Sequence, residues 1–567
     1  MNELKWWQTA VIYQIYPRSF ADGNGDGIGD FAGVISKLDY LKALGIGAVW
    51  LSPHFPSPQV DCGYDIADYM AVAPEYGTLE QFNTFLEQAH QRGIRVILDM
   101  VLNHTSDQHP WFIESRSSKD NPKRDWYIWK KGHGGQPPND WYSAFGGLAW
   151  EPDPTTGEYY YHYFFKEQPD LNWNNPEVRR AMWTAVRFWL DMGVDGFRLD
   201  AVGTIFEEPM WTSHGQSYTM EDLYRIERLA KTDQEKQDAL RRWESVFHNQ
   251  YDQPGVHELM RELRSIIDGY DDRVLIGETD DISYYGNGND ELHMVFNFPL
   301  MRVDRLSPRH VSMNQQERLA HIPAGGWPCN TLGNHDSPRV YSRFGDGVHD
   351  DELARLQLVL LLALKGTPVL YNGEEIGMTD YLIRDPSLFR DPISTWGYQL
   401  EMKVMGTPTE EAILYGAERG RDKCRTPLQW AHSVNGGFCL AGVTPWLPVN
   451  PNYAKGVNIA DQDKDPLSLL NFYRRAINLR QQTPALLYGN YRPLETGNSD
   501  VLAFLREAQG QIALAAFNFS SERREAKLSG IGKSGRVLFS TARQSRAGVA
   551  VDSLSLQPFE ACLILQD

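Results

Sequence analysis

The sequence predicts an α/β protein: a (β/α)8 TIM barrel that is interrupted by an inserted domain and followed by an antiparallel β-domain. Three observations support this fold class. Short β-rich runs alternate with amphipathic segments from Val11 onward, this rhythm stops between His104 and about Trp173, and alternating polar and apolar runs begin near Pro493. Strand–helix alternation is typical of parallel βαβ units. A chain of 567 residues has room for one large barrel and one or two smaller domains.

The first half of the predicted barrel carries clear local signals. Thr78 and Gln81 form a capping-box pattern, and Gly45 and Gly93 stand where glycines end helices. These signals agree with the hydrophobic pattern, which predicts strands at 11–16, 48–51 and 96–101 and helices near 31–44 and 79–92.

The rhythm resumes at Asn175-Pro176, where Asn is a plausible helix cap and Pro a first-turn residue. We expect the remaining strands to start near residues 196, 274, 294, 329 and 368. A charged segment at 213–253 follows the fourth strand, and its middle, 221–247, has a helical period. It should lie over the active-site face, because loops at the carboxyl ends of barrel strands build that face. The predicted division is a barrel of 1–103 and 174–485, an inserted domain of 104–173 and a β-domain of 486–567.

Composition narrows the classes of partner. The net charge of −19 disfavours nucleic acid and anionic membranes, which both attract basic surfaces. The first residues lack the basic and apolar regions of a secretory signal, and the longest nearly apolar run, 356–364, is too short to cross a bilayer. Five scattered cysteines without CxxC spacing disfavour a disulfide framework or a zinc site. We therefore expect a cytoplasmic protein; no oligomeric state is predicted.

A candidate catalytic strand is Gly196-Phe-Arg-Leu-Asp-Ala-Val202. Arg198 and Asp200 are two positions apart, so on a strand they face the same side and the guanidinium can keep the carboxylate ionised. The alternative is a buried ion pair without a catalytic role. Two further short runs end in carboxyl groups, at Glu278 and Asp336, and they favour the catalytic interpretation.

Together with Ile12-Tyr-Gln-Ile-Tyr-Pro17 and Asp99-Met-Val-Leu-Asn-His104, these runs resemble, in order and spacing, the conserved regions of the α-amylase family of glycoside hydrolases. The resemblance covers nearly the whole chain and implies that the inserted segment is the family's B domain. It also implies that Asp200 is the nucleophile, Glu278 the general acid/base and Asp336 the stabiliser of the transition state. Retaining glycosidases hold the first two carboxyl groups about 5–5.5 Å apart.

The resemblance also implies contacts with substrate. His104 and His335 would bond sugar hydroxyls. Asp61 and Arg425, from Asp61-Cys-Gly-Tyr-Asp65 and Cys424-Arg-Thr426, would clamp the terminal 4-hydroxyl and impose exo-action. Tyr64 would stack on that sugar, although a core tyrosine is an alternative. The expected substrate contacts are Asp61, Tyr64, His104, Phe145, Gln168, Arg198, Ala201, His335 and Arg425.

A glycine-rich loop presents oxygen ligands at alternate positions, which suits a hard cation. The predicted ligands are Asp22, Asn24, Asp26, the carbonyl of Ile28, and Asp30. The loop imitates the start of an EF-hand, but Gly33 stands where the bidentate Glu would be, so an EF-hand is excluded. The matching family loop binds Ca²⁺, which implies one structural calcium ion; the alternative is a plain Gly/Asp turn.

The predicted activity is that of a retaining exo-α-glucosidase acting on short α-glucosides. Family members that prefer α-1,6 bonds carry Val beside the nucleophile, so Ala201 favours α-1,4, maltose-like oligosaccharides, and Gln168-Pro-Asp-Leu-Asn172 places the chain in the α-glucosidase branch. Alternatives within the family are an oligo-1,6-glucosidase and a transglucosidase or isomerase of the trehalose synthase or sucrose isomerase type, active in transglycosylation. Outside enzymes, the barrel also serves as an interaction module in transporter heavy chains, which lack the catalytic residues and carry a membrane span.

Overall fold

A computed structural model describes residues 4–543 and 547–566 and confirms the predicted barrel. Its eight parallel strands are β1 (Ile12–Ile15), β2 (Ala48–Leu51), β3 (Arg95–Val101), β4 (Gly196–Asp200), β5 (Val274–Gly277), β6 (Met294–Val295), β7 (Cys329–Thr331) and β8 (Thr367–Tyr371). They form one sheet in the order β7-β8-β1-β2-β3-β4-β5-β6, and a parallel bridge between Phe296 and Cys329 joins its two ends.

The register between β3 and β4 positions the first charged groups of the site. Asp99 lies opposite Arg198, and Val101 lies opposite Asp200 at the carboxyl end of β4. On the other side of β4, Leu199 pairs with Gly277, so that Glu278 follows directly beyond the end of β5. All residues of β4 and β5 are buried, as expected for parallel strands that are covered on both faces.

Helices surround the barrel and pack their apolar faces on it. Thr78 and Gln81 form the predicted capping box, and the Asn175 side chain accepts a bond from the N–H of Glu177. The helix predicted near 31–44 is two helices that meet at Lys37. In the described ranges, no helix is both long and apolar enough to serve as a membrane span. The principal helices are Phe31–Ser36, Leu38–Leu44, Leu79–Gln91, Pro176–Met192, Val256–Ile267, Pro308–His321, Asp350–Ala363 and Leu469–Gln481.

The inserted segment after β3 contains a three-stranded antiparallel sheet, whose strands in spatial order are Trp129–Lys130, Glu158–Tyr161 and Trp150–Asp153. It also contains a helix, Pro110–Ser117, which the sequence pattern did not predict. The chain ends in a six-stranded antiparallel sheet, as predicted, with its first strand at Asn490–Leu494.

Residues 205–255, which lie between the short turn Val202–Thr204 after β4 and helix Val256–Ile267, are called the β4 insertion. It contains the helices Met220–Leu229 and Asp233–Phe247, which confirms the helical period predicted for 221–247. The Tyr224 hydroxyl donates to Glu401 in the β8 connection, defined as residues 379–430. On the other side, the Trp141 indole of the inserted domain donates to the Thr212 carbonyl oxygen at 2.8 Å. The β4 insertion thus joins the inserted domain to the β8 connection.

Candidate active site

A cavity of about 240 Å³ opens at the carboxyl ends of the strands and gathers all three predicted catalytic carboxyl groups. A larger cavity, of about 720 Å³, is lined by Trp6, His90 and Arg95 among others and contains none of the predicted site residues. Chemistry rather than volume therefore identifies the site. The smaller cavity is lined by Asp61, Tyr64, His104, Phe145, Phe164, Asp200, Ala201, Glu278, Asp336, Ile393 and Arg421.

One guanidinium group organises the carboxyl groups on the β4 side of the cavity. Arg198 Nη1 donates to Asp99 Oδ1 at 2.6 Å and to Asp200 Oδ1 at 2.7 Å, and Nη2 lies 2.8 Å from Glu278 Oε1. The other oxygen of Glu278 accepts a bond of 2.9 Å from the backbone N–H of Ala201. Asp200 and Glu278 are therefore neighbours, held by shared contacts at the ends of adjacent strands.

The charges of this group do not balance when every carboxyl group is ionised. Burial raises the pKa of Asp200, the nearby carboxyl groups of Glu278 and Asp99 raise it further, and Arg198 opposes them. Burial also raises the pKa of Asp99 to about 6 in spite of Arg198. Because one guanidinium faces three carboxyl groups, it does not offset the burial of all of them, and Asp99 and Asp200 hold their protons to higher pH than exposed carboxyl groups do.

Asp336 lies in a more strongly cationic environment. An Arg425 guanidinium nitrogen bonds Asp336 Oδ1, and Arg421 Nη1 lies 3.6 Å from the same oxygen. Although burial opposes them, His335, Arg425 and Arg421 lower the pKa of Asp336 below its ordinary range. Asp336 is therefore a fixed negative charge that faces the cavity, suited to stabilising positive charge on a bound sugar.

The predicted pairing of Asp61 with Arg425 is wrong. Asp61 Oδ1 instead accepts a bond of 2.7 Å from Arg421, whereas Arg425 holds Asp336 and donates to the backbone carbonyl of His335. Arg421 is fixed by Asp391, which accepts two guanidinium bonds of 2.9 Å and a bond of 2.7 Å from the Arg421 backbone N–H. Asp391 also caps helix Pro392–Leu400, so the position of this helix start fixes Asp391. Asp391 in turn holds Arg421, and not Arg425, against Asp61.

His104 lines the cavity, whereas His335 lies behind Tyr64; both are neutral, since burial lowers the pKa of each to about 3. The Tyr64 hydroxyl lies 2.6 Å from His335 Nε2, and the two rings stack with centroids 5.5 Å apart. The Tyr64 hydroxyl also donates to Asp99. Tyr64 is therefore part of the hydrogen-bonded wall of the cavity, not a core tyrosine away from it.

The remaining predicted contacts lie near the same cavity. Gln168 Nε2 donates to Asp61 Oδ2 at 3.2 Å, and the Phe145 ring lies 5.7 Å from the Arg421 guanidinium carbon. Ala201 adopts a left-handed backbone conformation with φ 42°. Few residues other than glycine adopt this conformation, and here it directs the Ala201 N–H to Glu278.

Five residues of the site were not assigned a role from the sequence. They are Asp99, Phe164, Asp391, Ile393 and Arg421. A signal existed for Asp99, which begins the quoted run of the third strand, and for Arg421, which precedes Cys424-Arg-Thr426. Phe164 and Asp391 lie in loops and Ile393 in the first turn of helix Pro392–Leu400, all within long connections where no periodic pattern relates them to the strands.

The predicted metal loop forms a tight turn in which carboxylates accept backbone bonds. Asp22 accepts from the N–H groups of Gly25 and Gly27, and Asp30 caps the following helix through Gly33. Across 4–543 and 547–566, no three or more His, Cys, Asp or Glu side chains are arranged as metal ligands. The donors, all oxygen atoms, nevertheless have the chemistry that a hard cation prefers.

Comparison with known proteins is consistent with this geometry. The α-amylase catalytic-domain family matches residues 14–489. An oligo-1,6-glucosidase from Parageobacillus thermoglucosidasius is 41% identical over 546 residues, 92% of this chain and 91% of that protein. A probable α-glucosidase from Rhizobium meliloti (strain 1021) is 39% identical over 91% of this chain and 90% of that protein. The crystal structure of trehalulose synthase MutB from Pseudomonas mesoacidophila MX-45 aligns with a TM-score of 0.87 at 37% identity, covering 99% of this chain and 100% of that chain.

Proposed function

We propose that this chain, which belongs to the α-amylase family of glycoside hydrolases, is a retaining exo-α-glucosidase that releases glucose from the non-reducing end of short α-glucosides. The observation that carries the proposal is the pairing of Asp200 and Glu278 on the Arg198 guanidinium. The pair supplies the two carboxyl groups that double displacement requires, at the ends of adjacent strands.

In the first step Asp200 attacks the anomeric carbon while Glu278 protonates the glycosidic oxygen, so the bond to the leaving group breaks and a glucosyl ester forms. In the second step Glu278 takes a proton from water, which attacks the same carbon and releases Asp200. Asp336 stabilises the positive charge that develops on the sugar in both steps.

Exo-action is supported by the far end of the cavity. Asp61 and Arg421 form a buried ion pair there, and Gln168 donates to the second oxygen of Asp61. A terminal sugar hydroxyl can both donate to Asp61 and accept from Arg421, which makes this pair a recognition site for the end of the substrate. A cavity of about 240 Å³ has room for little more than one glucosyl unit.

Linkage preference divides the candidates. Ala201 leaves space beside the nucleophile, which supports α-1,4 substrates such as maltose. A second candidate is an oligo-1,6-glucosidase, the activity by which the relative from Parageobacillus thermoglucosidasius is named. A third candidate is an isomerase acting on sucrose, because the crystal structure of a MutB mutant contains the substrate sucrose.

The test is the ratio of kcat/KM for maltose to that for isomaltose in the wild type and in Ala201→Val. We expect maltose to be preferred and the variant to shift the ratio toward isomaltose by about tenfold, the size of effect that one or two methyl groups have in a pocket. Ala201→Gly, which suits the left-handed backbone, is the matched control. A wild type that prefers isomaltose would replace this proposal with the oligo-1,6-glucosidase, and sucrose isomerisation would support the third candidate.

Two further properties are part of the proposal. The loop from Asp22 to Asp30 would hold one structural Ca²⁺ through Asp22, Asn24, Asp26, the Ile28 carbonyl and Asp30, because its donors are the hard oxygen atoms that calcium prefers. The protein would act in the cytoplasm, since all five cysteines are buried and unpaired, as expected in a reducing compartment.

A further inference from the structure

Tyr251 is an exposed aromatic residue between the two catalytic strand ends. It lies where the β4 insertion returns to the barrel, and 40% of its surface is exposed. Its ring rests on the backbone of Gly203, three residues beyond Asp200, so closely that a Cβ atom on Gly203 would lie 2.6 Å from Tyr251 Cζ. On the other side, the phenol oxygen lies near the side chain of Thr279, the neighbour of Glu278.

The backbone on both sides of this ring is firmly held. The preceding residue, Gln250, is fully buried and accepts a bond of 2.9 Å from the Tyr161 hydroxyl of the inserted domain. The following residue, Asp252, donates its N–H to the Gly203 carbonyl at 2.7 Å and accepts from the Tyr284 hydroxyl at 2.6 Å. Asp252 has φ 51°, a conformation that a non-glycine residue keeps only when its surroundings enforce it.

The position of Tyr251 corresponds to the leaving-group side of the bond that is cleaved. Asp61 and Arg421 close the opposite end of the cavity, so a glucosyl unit bound there directs its glycosidic oxygen toward Glu278. Whatever is attached to that oxygen extends beyond Glu278, where Thr279 and Tyr251 lie. The ring does not line the glucosyl cavity itself.

We propose that Tyr251 is the stacking platform for the leaving-group sugar, and therefore also for a sugar that acts as acceptor in transfer. The inference rests on the proposed α-glucosidase activity. An aromatic face binds the C–H face of a pyranose ring without requiring a particular hydroxyl pattern, and a rigid ring loses little conformational entropy in doing so. Tyr251 thus favours substrates whose leaving group is a sugar ring.

The test compares two substrates with the same glucosyl unit, maltose and α-glucosyl fluoride, of which only maltose has a leaving group that can stack. In Tyr251→Ala, the ratio of kcat/KM for maltose to that for α-glucosyl fluoride should fall about five- to tenfold, in line with measured aromatic contacts. In Tyr251→Phe, which keeps the ring, the ratio should stay within about twofold of the wild-type value. Tyr251→Leu keeps an apolar contact with Gly203 but has no aromatic ring. It replaces Tyr251→Ala in the comparison if the alanine variant does not fold. Leu240→Ala, at an exposed position of the same insertion, is the control.

Equal losses on both substrates would overturn the platform, because α-glucosyl fluoride has no leaving-group ring that Tyr251 could bind. A fall in Tyr251→Phe as large as that in Tyr251→Ala would overturn it as well, since the hydroxyl rather than the ring would then matter. A wild type that does not hydrolyse α-glucosyl fluoride would instead refute the proposed function, and the platform with it. The three outcomes are distinguishable in one set of rate measurements.

Discussion

Replacement of Arg421 tests the recognition of the substrate end most directly. Arg421 makes three guanidinium bonds, one to Asp61 and two to Asp391, and all three are lost in Arg421→Met. Arg421→Lys keeps the charge but cannot form the paired bonds to Asp391. Arg390→Met removes an exposed arginine of the same connection and is the matched control.

The expected magnitude follows from the burial of this network. Burial raises the pKa of Asp61 and Arg421 opposes it, so without Arg421 the Asp61 carboxyl group holds its proton to higher pH. Loss of a hydrogen bond to a charged group costs about 1.5–3 kcal/mol, which corresponds to a fall of about 10- to 150-fold in kcat/KM. Leaving Asp61 and Asp391 buried without their cation should also lower the free energy of unfolding by about 3–5 kcal/mol.

The assay uses p-nitrophenyl α-glucoside and its 4-deoxy analogue. In the wild type, removal of the 4-hydroxyl should reduce kcat/KM strongly, because Asp61 and Arg421 lose their partner. In Arg421→Met, the two substrates should react at similar rates. Arg425→Lys should keep the wild-type difference, since Arg425 holds Asp336 instead.

A 4-deoxy penalty that is unchanged in Arg421→Met would refute this assignment. A penalty that disappears in Arg425→Lys while it persists in Arg421→Met would restore the pairing expected from the sequence. Both outcomes are read relative to Arg390→Met, which should behave as the wild type does.

Three further predictions concern the chemistry and stability of the chain. Asp200→Asn and Glu278→Gln should each lower turnover by more than about a hundredfold with an unchanged circular dichroism spectrum, and a near-normal rate in either would contradict the mechanism. Exhaustive chelation should lower the melting temperature more than it alters rates at low temperature, because it removes the calcium ion from the loop at 22–30. An unchanged melting curve, together with the absence of metal in elemental analysis, would contradict the calcium proposal. Burial lowers the pKa of His54 and of His335 from 6.5 to about 3. Below about pH 6.5 these two histidines are therefore protonated in the unfolded chain but not in the folded one. Each of them lowers the free energy of unfolding by about 1.4 kcal/mol for every pH unit between about 6.5 and 3. Buried carboxyl groups such as Asp99, whose pKa is raised to about 6, act in the opposite direction, so the prediction concerns the difference between two proteins. The melting temperature of the wild type should fall relative to that of His54→Leu between pH 7 and 5, and a difference that does not change with pH would contradict the assignment.

The barrel could be predicted because each strand carries its own local signal. Residues 48–51 are a short apolar run between a helix-ending glycine and a polar turn, and all four are buried in β2. The carboxyl groups that end β4 and β5 could be predicted for the same reason, since a residue at the end of a strand belongs to the strand pattern. Local periodicity and tertiary position coincide in these elements.

The arginine partner of Asp61 could not be predicted in this way. Arg421 and Arg425 are four residues apart in a segment without helical or strand periodicity, so the sequence pattern does not show which of them faces Asp61. The choice between them depends on Asp391, which is 30 residues earlier in the chain. Similarly, helix Pro110–Ser117 is short and weakly amphipathic, although Pro110 and the His109 cap signal its start.

The ion pair between Asp61 and Arg421 joins residues 360 positions apart. Contacts of such separation tend to form late in folding, because the entropy of closing the loop must be overcome before they contribute stability. During synthesis, the strands that carry Asp200 and Glu278 can pair well before Arg421 has left the ribosome. Under the roles proposed above, the nascent chain would bring together its catalytic carboxyl groups before the pair that binds the end of the substrate is complete.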